Sequence, residues 1–206
     1  QYGWFLLRMF NKNLMPAIRF YCRLSFFMLF FACLLLPANL LADEKPNITI
    51  KTATLTQQDS TFLLNSLIVY NLSDEAIEAL HNGVTLTFNI DLSITEPRKW
   101  LWNKHHTNLT LPYQLRYHTL AKIYQVSDTT NNIRLNFSSL SAALHSLGTL
   151  TDIPIYTLTN SPHINANASL NAYLNIEALP LPMRPLAYIT PGWHLRSNTF
   201  QWPLAQ

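Results

Sequence analysis

Cysteine is missing from most of the chain: the two present, Cys22 and Cys33, both precede residue 42. The 164 residues that follow (206 − 42) therefore have no disulfide and no thiolate ligand for zinc. Glycine is nearly as scarce, four in 206 residues, so the Gly-rich loops that cradle phosphates could scarcely be built. The sequence contains no GxSxG elbow and no HExxH helix. Paired carboxylates for acid–base work are lacking too, because Asp91 falls in a Thr/Asn run and Glu96 precedes Pro97 without a recognisable partner acid. These absences argue against an enzyme, and no cofactor is implied.

Charge of one sign is also in short supply once the chain is divided. The sequence pI of about 8.9 comes almost wholly from Arg8, Lys12, Arg19 and Arg23, which no acid accompanies before Asp43. From Asp43 onward ten Lys or Arg face eleven Asp or Glu, a formal charge of −1. A nucleic-acid binder needs a basic stripe that releases counterions from a phosphate backbone. The near-neutral body excludes nucleic acid as the expected partner.

What the basic end does carry is the order of an export signal: a cationic flank, an apolar run from Leu24 to Leu36, then Pro37 and small residues to Ala42. Extended to Leu41, the apolar run reaches about eighteen residues, the lower limit for a bilayer span. The reading is a signal peptide cleaved after Ala42 or, if uncleaved, an N-terminal membrane anchor over residues 1–42, with 1–14 an over-extended start. Cys33 is followed by LLLP rather than polar sequence, which does not suit a lipidated cysteine. Residues 43–206 are then expected to form one exported domain, placed in the periplasm or held at the inner membrane facing it.

Period-two alternation dominates that body. In VTLTFNIDLSIT, Val84, Leu86, Phe88, Ile90, Leu92 and Ile94 share one face and Thr, Asn, Asp and Ser the other. NANASLNAYLNIE repeats the scheme with Ala166, Ala168, Leu170, Ala172, Leu174 and Ile176. Such segments are strands with one wet face, the mark of antiparallel sheets packed on one side. Further strands are expected at 48–57 and 61–72 as a hairpin, at Tyr113–His118, at Ile123–Ser127 and over WHLRSNTFQWPL. Two short helices interrupt them. One opens on Ser73 and stops at Gly83; the other opens on Ser138 or Ser139 and stops at Gly148. His81 and His145 fall in their last turns, where a cation meets the helix dipole favourably. The expected fold is all-β and mainly antiparallel: a β-sandwich-like single domain of roughly nine strands with two short surface helices.

The stretch EPRKWLWNKHH, 96–106, gathers three cations, two tryptophans and a histidine pair. Neighbours on a strand face opposite sides, so His105 and His106 cannot both ligate one metal without distortion; no metal site is expected. Pro97 bends or ends the preceding strand, which leaves the facing of Trp100 and Trp102 open. Arg98, Trp100 and Trp102 are the residue types that dominate binding hot spots and form the candidate docking surface.

The order EPRKWLWNK, LPYQLRYHTLAKIYQV, FSSLSAALHSLG, PGWHLRSNTFQWPL resembles the proteobacterial domain-of-unknown-function family numbered 4390 over nearly all of 48–204. The resemblance implies a signal or anchor followed by one β-rich domain and, through neighbouring genes, a link to a two-component sensor kinase. It implies no activity. Two functions fit the sequence: a non-catalytic module that docks another envelope or inner-membrane protein, or a carrier holding a lipid or small molecule between its sheets near Phe88, Leu92, Leu115 and Tyr117.

Overall fold

Alternation becomes architecture most directly in β3 (Leu86–Glu96), where Leu86, Phe88, Ile90, Leu92 and Ile94 are all fully buried. A computed structural model describes residues 47–58, 61–96, 104–155 and 166–204. Among the described residues, β1 (Asn47–Gln58), β2 (Thr61–Asn71) and β7 (Thr149–Ile155) form a three-stranded sheet in the order β1-β2-β7. The larger sheet has six strands in the order β6-β5-β4-β3-β8-β9. Its other members are β4 (Lys104–His118), β5 (Ile123–Asp128), β6 (Ile133–Phe137), β8 (Asn167–Leu174) and β9 (Phe200–Pro203). Every pairing is antiparallel. The all-β sandwich read from the sequence is the observed fold.

The core lies between the two sheets. Ile48, Ile50, Phe62, Leu64, Ile68 and Tyr70 of the small sheet meet Phe88, Ile90, Leu92, Leu115, Leu170 and Leu174 of the large one. Tyr70 and Phe88 meet edge to face with ring centroids 5.0 Å apart, an arrangement favoured by the aromatic quadrupole. The outer face of the large sheet is wet and knitted by short polar side chains. Ser93 and Ser169 share a 2.7 Å hydrogen bond, Thr110 Oγ1 donates to Asp91 at 2.7 Å, and Asn89 Nδ2 donates to the Tyr173 hydroxyl.

Two helices sit where their caps place them. Ser73 Oγ accepts from Ala76 N ahead of α1 (Asp74–His81), and Ser139 Oγ accepts from Ala142 N ahead of α2 (Leu140–Gly148). Gly83, at φ 85°, is the left-handed residue that stops the first helix. Gly148 has a different role from the helix stop read in the sequence. Its φ is not positive, and a Cβ there would lie 1.9 Å from the backbone oxygen of Ile68. It allows α2 to run into β7 against β2. A third helix, α3 (Arg184–Ile189), and short 3-10 turns at Ile176–Ala178, Leu181–Met183 and Pro191–Trp193 fill the segment after β8. The long final strand read over 193–204 shrinks to Phe200–Pro203, preceded by a single bridge between Arg196 and Tyr173.

A bulge shapes the free side of the small sheet. Leu64 pairs with Ile153 but Ser66 pairs with Leu150, so Asn65 faces two residues of β7. Asp152 takes φ 50°, and Asn65 holds it twice: Asn65 Nδ2 donates to Asp152 Oδ1 at 3.1 Å and Asp152 N donates to Asn65 Oδ1 at 3.0 Å. Asn65→Ala should lower stability by about 1 kcal/mol, the net worth of a pair of exposed hydrogen bonds. An unchanged urea midpoint would show that the bulge holds itself.

Candidate functional site

Sheets of unequal width cannot cover each other. With strands about 4.8 Å apart, a six-stranded sheet overhangs a three-stranded one. On the β6 side, the inward face of the large sheet therefore reaches solvent. The register puts Ile133 and Leu135 of β6 on the same face as Asp128 and Val126 of β5. Both remain about half exposed, at 52% and 49%, although they face inward. The short helix α2 crosses from β6 to β7 and closes part of the gap.

The result is a cleft of about 220 Å³ between the overhang and the small sheet. Its large-sheet wall is Tyr113, Val126, Asp128, Ile133 and Leu135; Leu150 and Ile153 of β7, with Ser146 and Thr149 at the end of α2, form the other. The strands on both sides, β6 and β7, are the last in their sheets. Among the described residues, no strand pairs with the outer side of either, so each rim presents a sheet edge.

Two polar side chains mark the large-sheet wall of the cleft, Tyr113 and Asp128. Asp128 is fixed by its own turn, accepting from Thr130 N at 2.8 Å, Asn131 N at 3.1 Å and Asn131 Nδ2 at 2.8 Å. Tyr113 is 7% exposed, and burial, with the Asp128 carboxylate adding to it, pushes its phenol up to about 12. It therefore stays protonated and able to donate a hydrogen bond. Such a wall offers apolar contact, one hydroxyl and one carboxylate.

Arg98, Trp100 and Trp102 lie between β3 and β4, outside the described residues. The backbone of His105 pairs with Thr95, and His106 is the extra residue where the register slips between Thr107 and His105. Of the residues expected to line a cavity, Phe88, Leu92 and Leu115 are completely buried in the core. Tyr117 belongs instead to an aromatic cluster, 4.7 Å from Tyr124 and 5.1 Å from His81, whose Nε2 lies 2.8 Å from the Tyr124 hydroxyl. That cluster ties α1 to β4 and β5, which accounts for His81 structurally. Among the described residues no group of His, Cys, Asp or Glu is arranged to hold a metal, and no helix is long and apolar enough to cross a membrane.

The cleft residues were missed because TLTDIPI carries no clean alternation and IRLNF, although it alternates, is only five residues long. Only the exposed apolar pair Ile133 and Leu135, two apart in a short polar run, hinted at a face. Residues 45–203 match the model of a family described as Domain of unknown function (DUF4390). No curated protein matches the chain, and no solved structure does.

Proposed function

We propose, for a chain that belongs to the DUF4390 family, that it is a non-catalytic interaction module which takes an extended segment of a partner protein along the edge of β6. The observation that carries this reading is the overhang. An apolar cleft flanked by unpaired strand edges fits β-strand addition, in which backbone hydrogen bonds supply affinity and a pocket accepts alternate side chains. Leu135, Ile133 and Val126 would receive an aliphatic side chain, while Tyr113 donates a hydrogen bond to the incoming backbone or a polar group. In keeping with the apolar N-terminal run, the partner would be an envelope or inner-membrane protein, a sensor kinase ectodomain among them, met in the periplasm.

Size argues against the carrier reading. Sites for lipids and drug-sized ligands occupy roughly 300–1,000 Å³, and the cleft holds about 220 Å³. That is room for one or two side chains of a peptide.

Photocrosslinking in cells from position 133, repeated with Leu135→Asp, tests the proposal. The expected result is a discrete adduct with an envelope protein that Leu135→Asp abolishes while the circular dichroism spectrum stays unchanged. With the captured protein in hand, hydrogen exchange should slow across 133–137. Capture indifferent to Leu135→Asp, or a copurifying small molecule seen by native mass spectrometry, would overturn the reading.

A further inference from the structure

Among the described residues, the two ends of the sandwich differ in what their turns carry. The start of β1 at Asn47 pairs with the end of β2 at Asn71, and α1 follows at once and leads into β3. β8 runs antiparallel to β3 and ends at this same end, Leu174 pairing with Phe88. The β4–β5 turn, 119–122, projects here too, since β4 passes Leu115, the partner of Leu86, before turning. The segment 181–193 is tied to the same place, because Gly192 lies against the carboxylate of Glu75 in the first turn of α1.

Large apolar side chains gather on these turns. Leu120 is wholly exposed, and Leu181, Leu186, Tyr188 and Ile189 are 72%, 61%, 52% and 77% exposed. Single exposed apolar residues are ordinary, but five on the turns at one end of a small domain are the kind of surface that marks an interaction site. Among the described residues, turns pointing the other way are polar: Thr129, Thr130, Asn131 and Asn132 between β5 and β6, and Gln57 and Gln58 at the end of β1.

We infer that this end rests on a lipid bilayer, with Leu120, Leu181, Leu186 and Ile189 entering the boundary between headgroups and acyl chains and Tyr188 at the headgroup level. Three observations favour a bilayer over a protein partner. Asn47 opens the described domain at this end, only six residues beyond Leu41, the last residue of the apolar run 24–41. The inference rests on the anchor reading of that run: a chain held in a membrane by it would enter the domain at this end. Pro180, Pro182, Pro185 and Pro191 interleave the exposed residues, and proline brings no N–H that would need a partner away from water. Tyrosine beside aliphatic residues suits an interface belt, and no carboxylate follows Glu177. The cations at this end, Lys122 and Arg184, are outnumbered by Asp74, Glu75 and Glu78 of α1, so the attraction is apolar and not a matter of headgroup charge.

The test uses the full chain with Cys22 and Cys33 changed to Ser and one new cysteine at a time, Leu120→Cys, Ile189→Cys or Thr130→Cys, each carrying a fluorophore. All three positions are exposed, so folding is not at risk. In phosphatidylcholine vesicles containing doxyl-labelled lipid, the labels at 120 and 189 should be quenched several-fold more than the label at 130. Replacing part of the phosphatidylcholine by phosphatidylglycerol should change this little. Equal quenching at all three positions, with all three open to aqueous iodide, would overturn the inference. Labels at 120 and 189 shielded from both quenchers would overturn it as well, by showing that a protein surface covers them.

Discussion

Gly148→Ala should cost about 3 kcal/mol or more, at the upper end of what overpacking does. The new Cβ would sit 1.9 Å from Ile68 O and 2.9 Å from Ile68 C. Both are backbone atoms of β2, held by the pairing of Ile68 with Ile50 of β1 and by the adjacent Leu67–Thr149 pair with β7. No side chain can swing away, so α2 must lift off the sheet. The lift would strip Leu147 and Ala143 from the core and move Ser146 and Thr149, one wall of the cleft. For a domain of this length the loss corresponds to a melting temperature lower by about 6–12 °C, together with loss of partner capture from position 133. Gly83→Ala is the control. Nothing lies within 4 Å of its Cβ position, so only left-handed strain opposes the change, about 1–2 kcal/mol. A Gly148→Ala protein as stable as the Gly83→Ala one would show that α2 does not pack as described.

Legibility followed periodicity. β3 and β8 could be read because one wet face and one dry face force strict alternation, and α1 because Ser73 and Gly83 mark its ends. β4 was read only from Tyr113 onward, since Pro112 looks like a stop. It is tolerated because β5 ends at the partner of Tyr113, so beyond it β4 has no strand on that side. The carbonyl of Pro112 accepts from Thr129 N and Thr129 Oγ1; a residue's N and O point the same way, so the missing N–H leaves no bond to β3 broken. β7 was illegible for a related reason: a bulge at Asp152 and a proline at 154 destroy its pattern. The cleft could not be read at all. It arises from the difference in width between the sheets, and strand number per sheet is a property of topology that no local pattern carries.

Alkali should unfold the domain through its buried tyrosines. Burial pushes the Tyr70 phenol far above its ordinary range, with Tyr113 beside it adding, and pushes Tyr113 up to about 12 by burial and the nearby Asp128. Below about pH 10 the folded and unfolded chains both keep these protons, and their contribution to stability is fully present. Above about pH 10 the unfolded chain releases them, while folded Tyr113 holds its proton to about 12 and Tyr70 holds on beyond. Folding stability therefore falls as pH rises through that window, by up to about 1.4 kcal/mol per pH unit for each tyrosine. Two tyrosines over two units remove about 5 kcal/mol, a large share of the 5–15 kcal/mol that holds a typical domain. Tyr70→Phe isolates the effect, because its hydroxyl is buried without a hydrogen-bond partner. Removing it should raise stability at neutral pH by about 1 kcal/mol, since an unsatisfied group is no longer desolvated, and should roughly halve the alkaline slope. Urea unfolding of both proteins from about pH 9 to about pH 12 reads the two slopes directly. Parallel slopes would mean that the Tyr70 hydroxyl reaches water in the folded protein, and with it that the core between the sheets is open where it is described as closed.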